Sequence, residues 1–272
     1  MQTVAFFDQQ VLVDEVIENT SGSSVPAALK PLHAIARMCN GAKFDETTAL
    51  LPIEERSIKG DPTDTALLRF AESLSIPAIG VDSNALLASH EIIFEIPFNS
   101  RNKWMLSVVR ERRTAKHTED SVEPETWILV KGAPDVLFRS CTNVMKADGT
   151  VLPLDSVRQS QLSTLQEAWS NEGQRVLALC RKSLDNPKFD PNLMSANAIE
   201  ELMYSELEEM TLVGLVAIRD PPRVDVPGAL TVIRKAGVRV FMVTGDFKLT
   251  AVAIARQVCL SMLGVIYSHT YS

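Results

Sequence analysis

The sequence predicts an α/β protein in which an antiparallel sheet with flanking helices is followed by an incomplete parallel sheet. Three observations carry this reading. Apolar stretches at 104–109 and 126–130 have the composition and separation of a long β-hairpin. Apolar residues recur at helical spacing between the strands, as at Leu29, Leu32, Ala36 and Cys39, which marks a helix with one buried face. From Leu212 onward the pattern becomes strand, helix, strand, helix, the grammar of a βαβ unit in a parallel sheet.

The elements follow in order along the chain. Residues 3–7 and 11–16 read as two short strands joined at Asp8-Gln9-Gln10, and a polar break follows at 19–24. The helix through Leu29 and Cys39 closes at Asn40-Gly41, a C-terminal cap signal. Gly60-Asp61-Pro62-Thr63-Asp64 opens the next helix: Asp61 can cap free amides, and Pro62 takes the first position, where its missing N–H costs nothing. Ala66, Leu67, Phe70 and Leu74 give that helix its buried stripe. Residues 92–96 read as a strand, and 110–125, polar and mixed in charge, as a solvated loop inside the hairpin. A further helical stripe, Val157, Leu162, Leu165, Ala168 and Trp169, closes at Gly173, and 175–180 reads as a buried strand. In the final region 212–218 and 238–243 read as strands, 226–236 and 249–258 as helices.

Bulk composition narrows the function. At 272 residues, 46% hydrophobic and 22% charged, the chain has the makeup of a globular protein with room for one large or two ordinary domains. A net charge of −7 speaks against a nucleic-acid partner held through many phosphates, while one basic cleft remains compatible with a nucleotide. Cys39, Cys141, Cys180 and Cys259 are widely spaced, as are His33, His90, His117 and His269, so neither a disulfide framework nor a structural metal site is expected. No run of residues has the length and apolarity of a membrane span, and the N-terminus lacks the order of a signal peptide.

Several short segments carry chemistry. Thr244-Gly245-Asp246 follows the strand at 238–243, at the carboxyl edge where parallel sheets hold ligands, and ahead of a helix N-terminus. A hydroxyl and a glycine N–H there suit a phosphoryl group, although such a turn also joins strands to helices for geometry alone. Lys131-Gly132-Ala133-Pro134 delivers a cation at a strand end, and Gly132 lets backbone approach a ligand closely; a plain turn beside a solvated lysine is the alternative. Phe98 is either a core residue or a platform for a base, with Lys103 near in sequence to meet ligand charge. Arg175 serves either a ligand or a surface ion pair.

Taken together these segments resemble the P-type cation-transporting ATPases, most of all the animal-type sodium/potassium pumps and their fungal relatives. Residues 60–66 look like the segment ahead of the first nucleotide-domain helix, and 98–103 like the adenine-stacking segment. Residues 131–135 are similar to the lysine signature and 173–180 to the arginine strand. Asp220-Pro221-Pro222-Arg223 resembles the hinge, and 242–246 the second phosphatase-type motif. The order matches that of the family from about residue 3 to about residue 260.

The resemblance implies a nucleotide-binding domain at 1–219 and an incomplete, haloacid-dehalogenase-like phosphorylation-domain fragment at 220–272 with an atypical tail from about 261. It implies that Phe98 stacks on adenine, that Asp64 accepts from the adenine edge, and that Lys103, Lys131 and Gly132 line the pocket. Arg175 would reach the phosphates, and Thr244, Gly245 and Asp246 would face the transferred phosphoryl group. ATP, carried as Mg-ATP, is the implied ligand. The membrane and actuator parts of a pump are the implied partners, with this chain on the cytoplasmic face. Asp64 and Asp135 stand where the family usually has glutamates, and Phe247 where a histidine is common. The family's phosphorylated Asp-Lys-Thr-Gly-Thr segment and its Gly-Asp-Gly-x-Asn-Asp segment are both missing from these residues, so the chain alone is expected to be inactive. Two rival readings stand beside this one: a self-sufficient haloacid-dehalogenase-type phosphohydrolase, and a gene-model fragment without function.

Overall fold

The computed structural model describes residues 3–12, 25–76, 80–112, 125–186, 189–219, 222–258 and 265–267. The expected strand end at Val16, the polar break at 19–24, most of the loop at 110–125 and the hinge residues Asp220 and Pro221 lie outside them.

β1 (Thr3–Phe6) and β2 (Gln9–Leu12) form a tight antiparallel hairpin. α1 (Leu29–Met38) follows, then the short antiparallel pair β3 (Lys43–Phe44) and β4 (Ile58–Lys59). α2 (Pro62–Ser73) begins as the sequence predicts, with the Asp61 carboxylate accepting from Thr63 N at 2.9 Å and Asp64 N at 3.1 Å. Such a side-chain cap satisfies amides that have no partner within the helix and is worth about 1 kcal/mol. α3 (Ser83–Ser89) leads into β5 (His90–Ile96), β6 (Trp104–Glu111) and β7 (Thr126–Gly132), and the predicted β6–β7 pairing is present from Trp104↔Gly132 to Arg110↔Thr126. Next come α4 (Pro134–Leu137), β8 (Cys141–Met145), β9 (Val151–Pro153), α5 (Ser156–Asn171), β10 (Gln174–Ser183), α6 (Ala196–Glu206) and β11 (Met210–Arg219). α5 ends where Gly173, at φ +81, takes a left-handed turn that a side chain would strain.

All of these strands except β3 and β4 form a nine-stranded sheet in the order β2-β1-β11-β10-β7-β6-β5, with β8 branching onto β11 and β9 onto β8. β8 runs parallel to β11, and the other pairings of the sheet are antiparallel. Both faces are covered, which is why β6 reads as a continuous apolar run instead of an alternating one. Met105 and Val109 point into a core shared with α1 and α2, while Trp104, Leu106 and Val108 point into one shared with α5 and α6. β10 divides in the same way, Leu177 and Leu179 on one side, Val176, Ala178 and Cys180 on the other. Each leucine so buried stabilises the fold by about 1.5–3 kcal/mol.

Beyond β11 lie α7 (Val226–Lys235), β12 (Met242–Thr244), α8 (Lys248–Gln257) and β13 (Val265–Tyr267), with β12 and β13 paired in parallel. The βαβ unit expected at 212–243 is not formed; the parallel pair is β12–β13 instead, with α8 between its strands. The strand at 212–218 belongs to the large sheet, because its apolar residues on both faces fit between β1 and β10. Residues 238–241 are not strand, and Val265–Tyr267 supplies the parallel partner instead. Val157 departs from its predicted stripe: it is 65% exposed at the start of α5, one turn before the buried face begins at Leu162.

Candidate functional site

The first turn of α2 divides the candidate residues into two groups. Asp64 faces β7. Its carboxylate accepts from Gly41 N at 2.8 Å and from Lys131 Nζ, and both partners of that ion pair are buried. Asn40 secures the junction by donating to Asp64 O at 3.2 Å and to Ala36 O at 3.0 Å. Lys131 is thus neither a solvated turn residue nor a free cation. A buried charge without a partner is costly, and here each charge answers the other. Burial pushes the neighbouring Cys39 thiol up to about 11, although the charge of Lys131 pulls the other way.

Gly132, next along β7, has no room for a side chain: a Cβ there would lie 2.6 Å from Lys103 O and 2.7 Å from Trp104 Cβ. The close approach that the sequence assigned to a ligand is made by the protein's own turn at 97–103. Ala133 N donates to Lys103 O at 3.0 Å and ties the two segments together. Phe98 sits on that turn with 57% of its surface exposed, so it is not a core residue, and Lys103 is exposed beside it.

Thr63, one residue before Asp64, faces the other way. Arg175 donates from Nη1 to Thr63 Oγ1 at 2.7 Å and from Nη2 to Asp246 Oδ1 at 2.5 Å. Asp246 is held in turn by Thr244 Oγ1, which donates to Oδ2 at 3.0 Å, while Asp246 N donates back to Thr244 Oγ1 at 3.1 Å. The second arm of this contact is Thr250 on α8, whose hydroxyl donates to Gln174 O at 3.0 Å. Between α2, β10, the end of β11 and α8 lies a cleft of about 140 Å³, lined by Thr63, Arg175, Arg219, Asp246 and Thr250 among others. That is smaller than the ~300–1,000 Å³ of small-molecule pockets but roomy enough for a phosphoryl group.

The sequence-selected residues therefore meet around one helical turn: Asp64, Lys131, Gly132 and the 97–103 turn on one side, Arg175 and the Thr244-Gly245-Asp246 segment on the other. Gly245 is exposed, and an added Cβ would meet nothing within 4 Å. Of the hinge residues, Pro222 is half-buried and Arg223 pairs with Asp225 at 3.1 Å on the surface. Sequence reasoning passed over Thr63, Asn40 and Gly41 as site residues. Thr63 lay inside a quoted motif, but nothing in the chain announced that Gly41 would donate to Asp64 across 23 residues. Among the described residues, no His, Cys, Asp and Glu side chains gather in a group of three or more able to hold a metal ion, and no helix is long and apolar enough to cross a membrane.

An α/β domain on a doubly covered antiparallel sheet, with a cationic cleft at the head of a helix, defines the class. The family model described as P-type ATPase, cytoplasmic domain N, matches residues 28–225. The chain belongs to the P-type ATPase family. It is 32% identical over 256 residues to the sodium/potassium-transporting ATPase subunit alpha-A of Artemia franciscana, covering 93% of this chain and 24% of that protein. The potassium-transporting ATPase alpha chain 2 of Oryctolagus cuniculus is 34% identical over 256 residues, 93% of this chain and 22% of its own length. The chain thus spans about a quarter of the length of these relatives.

Proposed function

We propose that this chain is the ATP-binding part of a P-type cation-transporting ATPase, with a nucleotide-binding domain at 1–219 and a haloacid-dehalogenase-like phosphorylation-domain fragment from 220. The observation that carries this reading is the Thr63–Arg175–Asp246 contact at the N-terminus of α2, one residue from the Asp64–Lys131 pair. A guanidinium with a hydroxyl beside it forms a receptor for a phosphate chain. Phe98, exposed on a turn tied to the Lys131 strand, offers a π-face to the adenine.

In this reading Arg175 exchanges the Asp246 carboxylate for phosphate oxygens, and the release of Asp246 leaves Thr244, Gly245 and Asp246 facing the phosphoryl group. Lys103 offsets ligand charge at the open edge of the pocket. Lys131 acts through Asp64, orienting its carboxylate toward the adenine edge. Mg²⁺ would arrive on the nucleotide and offset the charge of its phosphates. In the longer pump the same surface would present the γ-phosphate to an aspartate outside these residues, with the membrane and actuator parts as partners.

The test is ATP titration of the purified chain and of Phe98→Ala. Loss of the stacking face should weaken binding by about 1–3 kcal/mol with the circular dichroism unchanged. Equal affinities in two folded proteins would remove Phe98 from the site, and no binding by either would leave the chain a fragment without function. The 272 residues contain no Asp-Lys-Thr-Gly-Thr segment, so γ-labelled ATP and Mg²⁺ should leave no hydroxylamine-sensitive label after acid quench. Label above a heat-denatured control would favour a self-sufficient phosphohydrolase.

A further inference from the structure

The turn at 97–103 holds an unfavourable shape. Lys103 sits at φ 60, in the left-handed region that a residue with a side chain rarely adopts. Such a conformation persists only where its surroundings over-determine it. Within the turn, Asn102 N donates to Asn99 Oδ1 at 2.7 Å and Lys103 N to Asn99 O at 2.9 Å. One flank is tied to Ala133 through Lys103 O.

The other flank is held from far along the chain. Asn102 Nδ2 donates to the hydroxyl oxygen of Tyr204 at 3.0 Å, across 102 residues. The ring of Tyr204 meets Trp104 edge-on, with centroids 5.5 Å apart and planes at 66°. Trp104 opens β6 and is only 6% exposed, so it gives Tyr204 a fixed platform. α6 is itself seated on the sheet by Ile199 and Met203, and Met203 directly precedes Tyr204. One aromatic side chain therefore bridges a rigid strand and a strained turn.

We propose that Tyr204 is a positioning residue for base binding, holding the turn that presents Phe98 and Lys103 through its bond to Asn102 and its ring contact with Trp104. The proposal rests on the ATP reading. Phe98, 57% exposed, has little packing of its own, so its orientation is inherited from the turn that carries it. A turn fixed before the ligand arrives spares the ordering cost of binding, whereas a loose one must be ordered by the nucleotide.

Tyr204→Phe keeps the ring on Trp104 and removes the acceptor for Asn102; Asn102→Ala removes the other end of the same bond. Both sites are at the surface, and circular dichroism checks that the fold is kept. In the nucleotide-free chain, amide exchange at Asn102 and Lys103 should be faster in either variant. ATP affinity should fall about 2- to 10-fold, the worth of one hydrogen bond, while affinity for inorganic tripolyphosphate falls by less, because it meets Lys103 but has no base to stack on Phe98. A general loss of stability would instead weaken both ligands equally and overturn the proposal. Unchanged exchange in both variants overturns it as well, and so does faster exchange with undiminished ATP affinity. If the unsubstituted chain binds no ATP, the ATP reading itself falls. That failure is distinguishable, because exchange at Asn102 and Lys103 is read without nucleotide.

Discussion

The large sheet and the segment after it solve the same problem with unequal means. In the sheet, β6, β7, β10 and β11 are covered on both faces, and residues such as Leu106, Ile128, Leu179 and Leu215 have no exposed surface. In the segment from 222 to 267, α7 buries no residue, and Val232, Val238, Phe241 and Val243 are 69%, 54%, 54% and 67% exposed. Among the described residues its own cluster consists of Ala255 and Val258 with a few partly buried neighbours. Apolar pattern alone does not stabilise an element; a second layer must cover it. The segment is held through the buried face of α8, with Ala251, Val252 and Ala253, and through polar contacts to the sheet at Arg175–Asp246 and Thr250–Gln174.

The sharpest test of this contrast pairs two truncations. Leu32→Ala on α1, with no exposed surface, should cost about 2–5 kcal/mol through lost burial and a residual cavity. Val232→Ala on α7, 69% exposed, should stay within about 0.5 kcal/mol. Equal costs in urea unfolding would break the comparison.

A smaller effect sits inside the sheet's helical layer. His33 is buried on α1 with Nε2 3.0 Å from Ser83 Oγ, and burial, aided by the charge of Arg37 and opposed by a hydrogen bond to the Ala71 backbone and by the charge of Asp82, lowers its pKa from 6.5 to about 4. The unfolded chain therefore takes up a proton that the folded chain refuses as pH falls from about 6.5 toward 4. Stability is full above that window and drops within it, by at most about 1.4 kcal/mol per pH unit from this group. His33→Gln should flatten the loss between pH 7 and pH 5. If both proteins weaken equally, the histidine is not its cause.

The smallest effect concerns the link between the regions. Asp246→Asn removes the charge from an ion pair whose side chains are 39% and 26% exposed, so it should cost only about 0.2–1 kcal/mol. Its local sign should be faster amide exchange in α8 with the large sheet unaffected. Slower or unchanged exchange there would show that Arg175–Asp246 does not hold the segment.

Local signals determined much of this protein by themselves. The start of α2 follows from Asp61 and Pro62, the end of α5 from Gly173, and the β6–β7 hairpin from its apolar pattern, because caps, left-handed glycines and side-chain period act within a few residues. The motif residues were legible too, as segments of known type in a known order. Which sheet β11 joins was not, since a strand apolar on both faces reads alike whether its neighbours run parallel or antiparallel. Nor could the chain show that Lys131 would be neutralised by Asp64, or that Gly132 would make room for Lys103 O. Those outcomes depend on desolvation and on contact between strands far apart in sequence, and only the packed tertiary structure decides them.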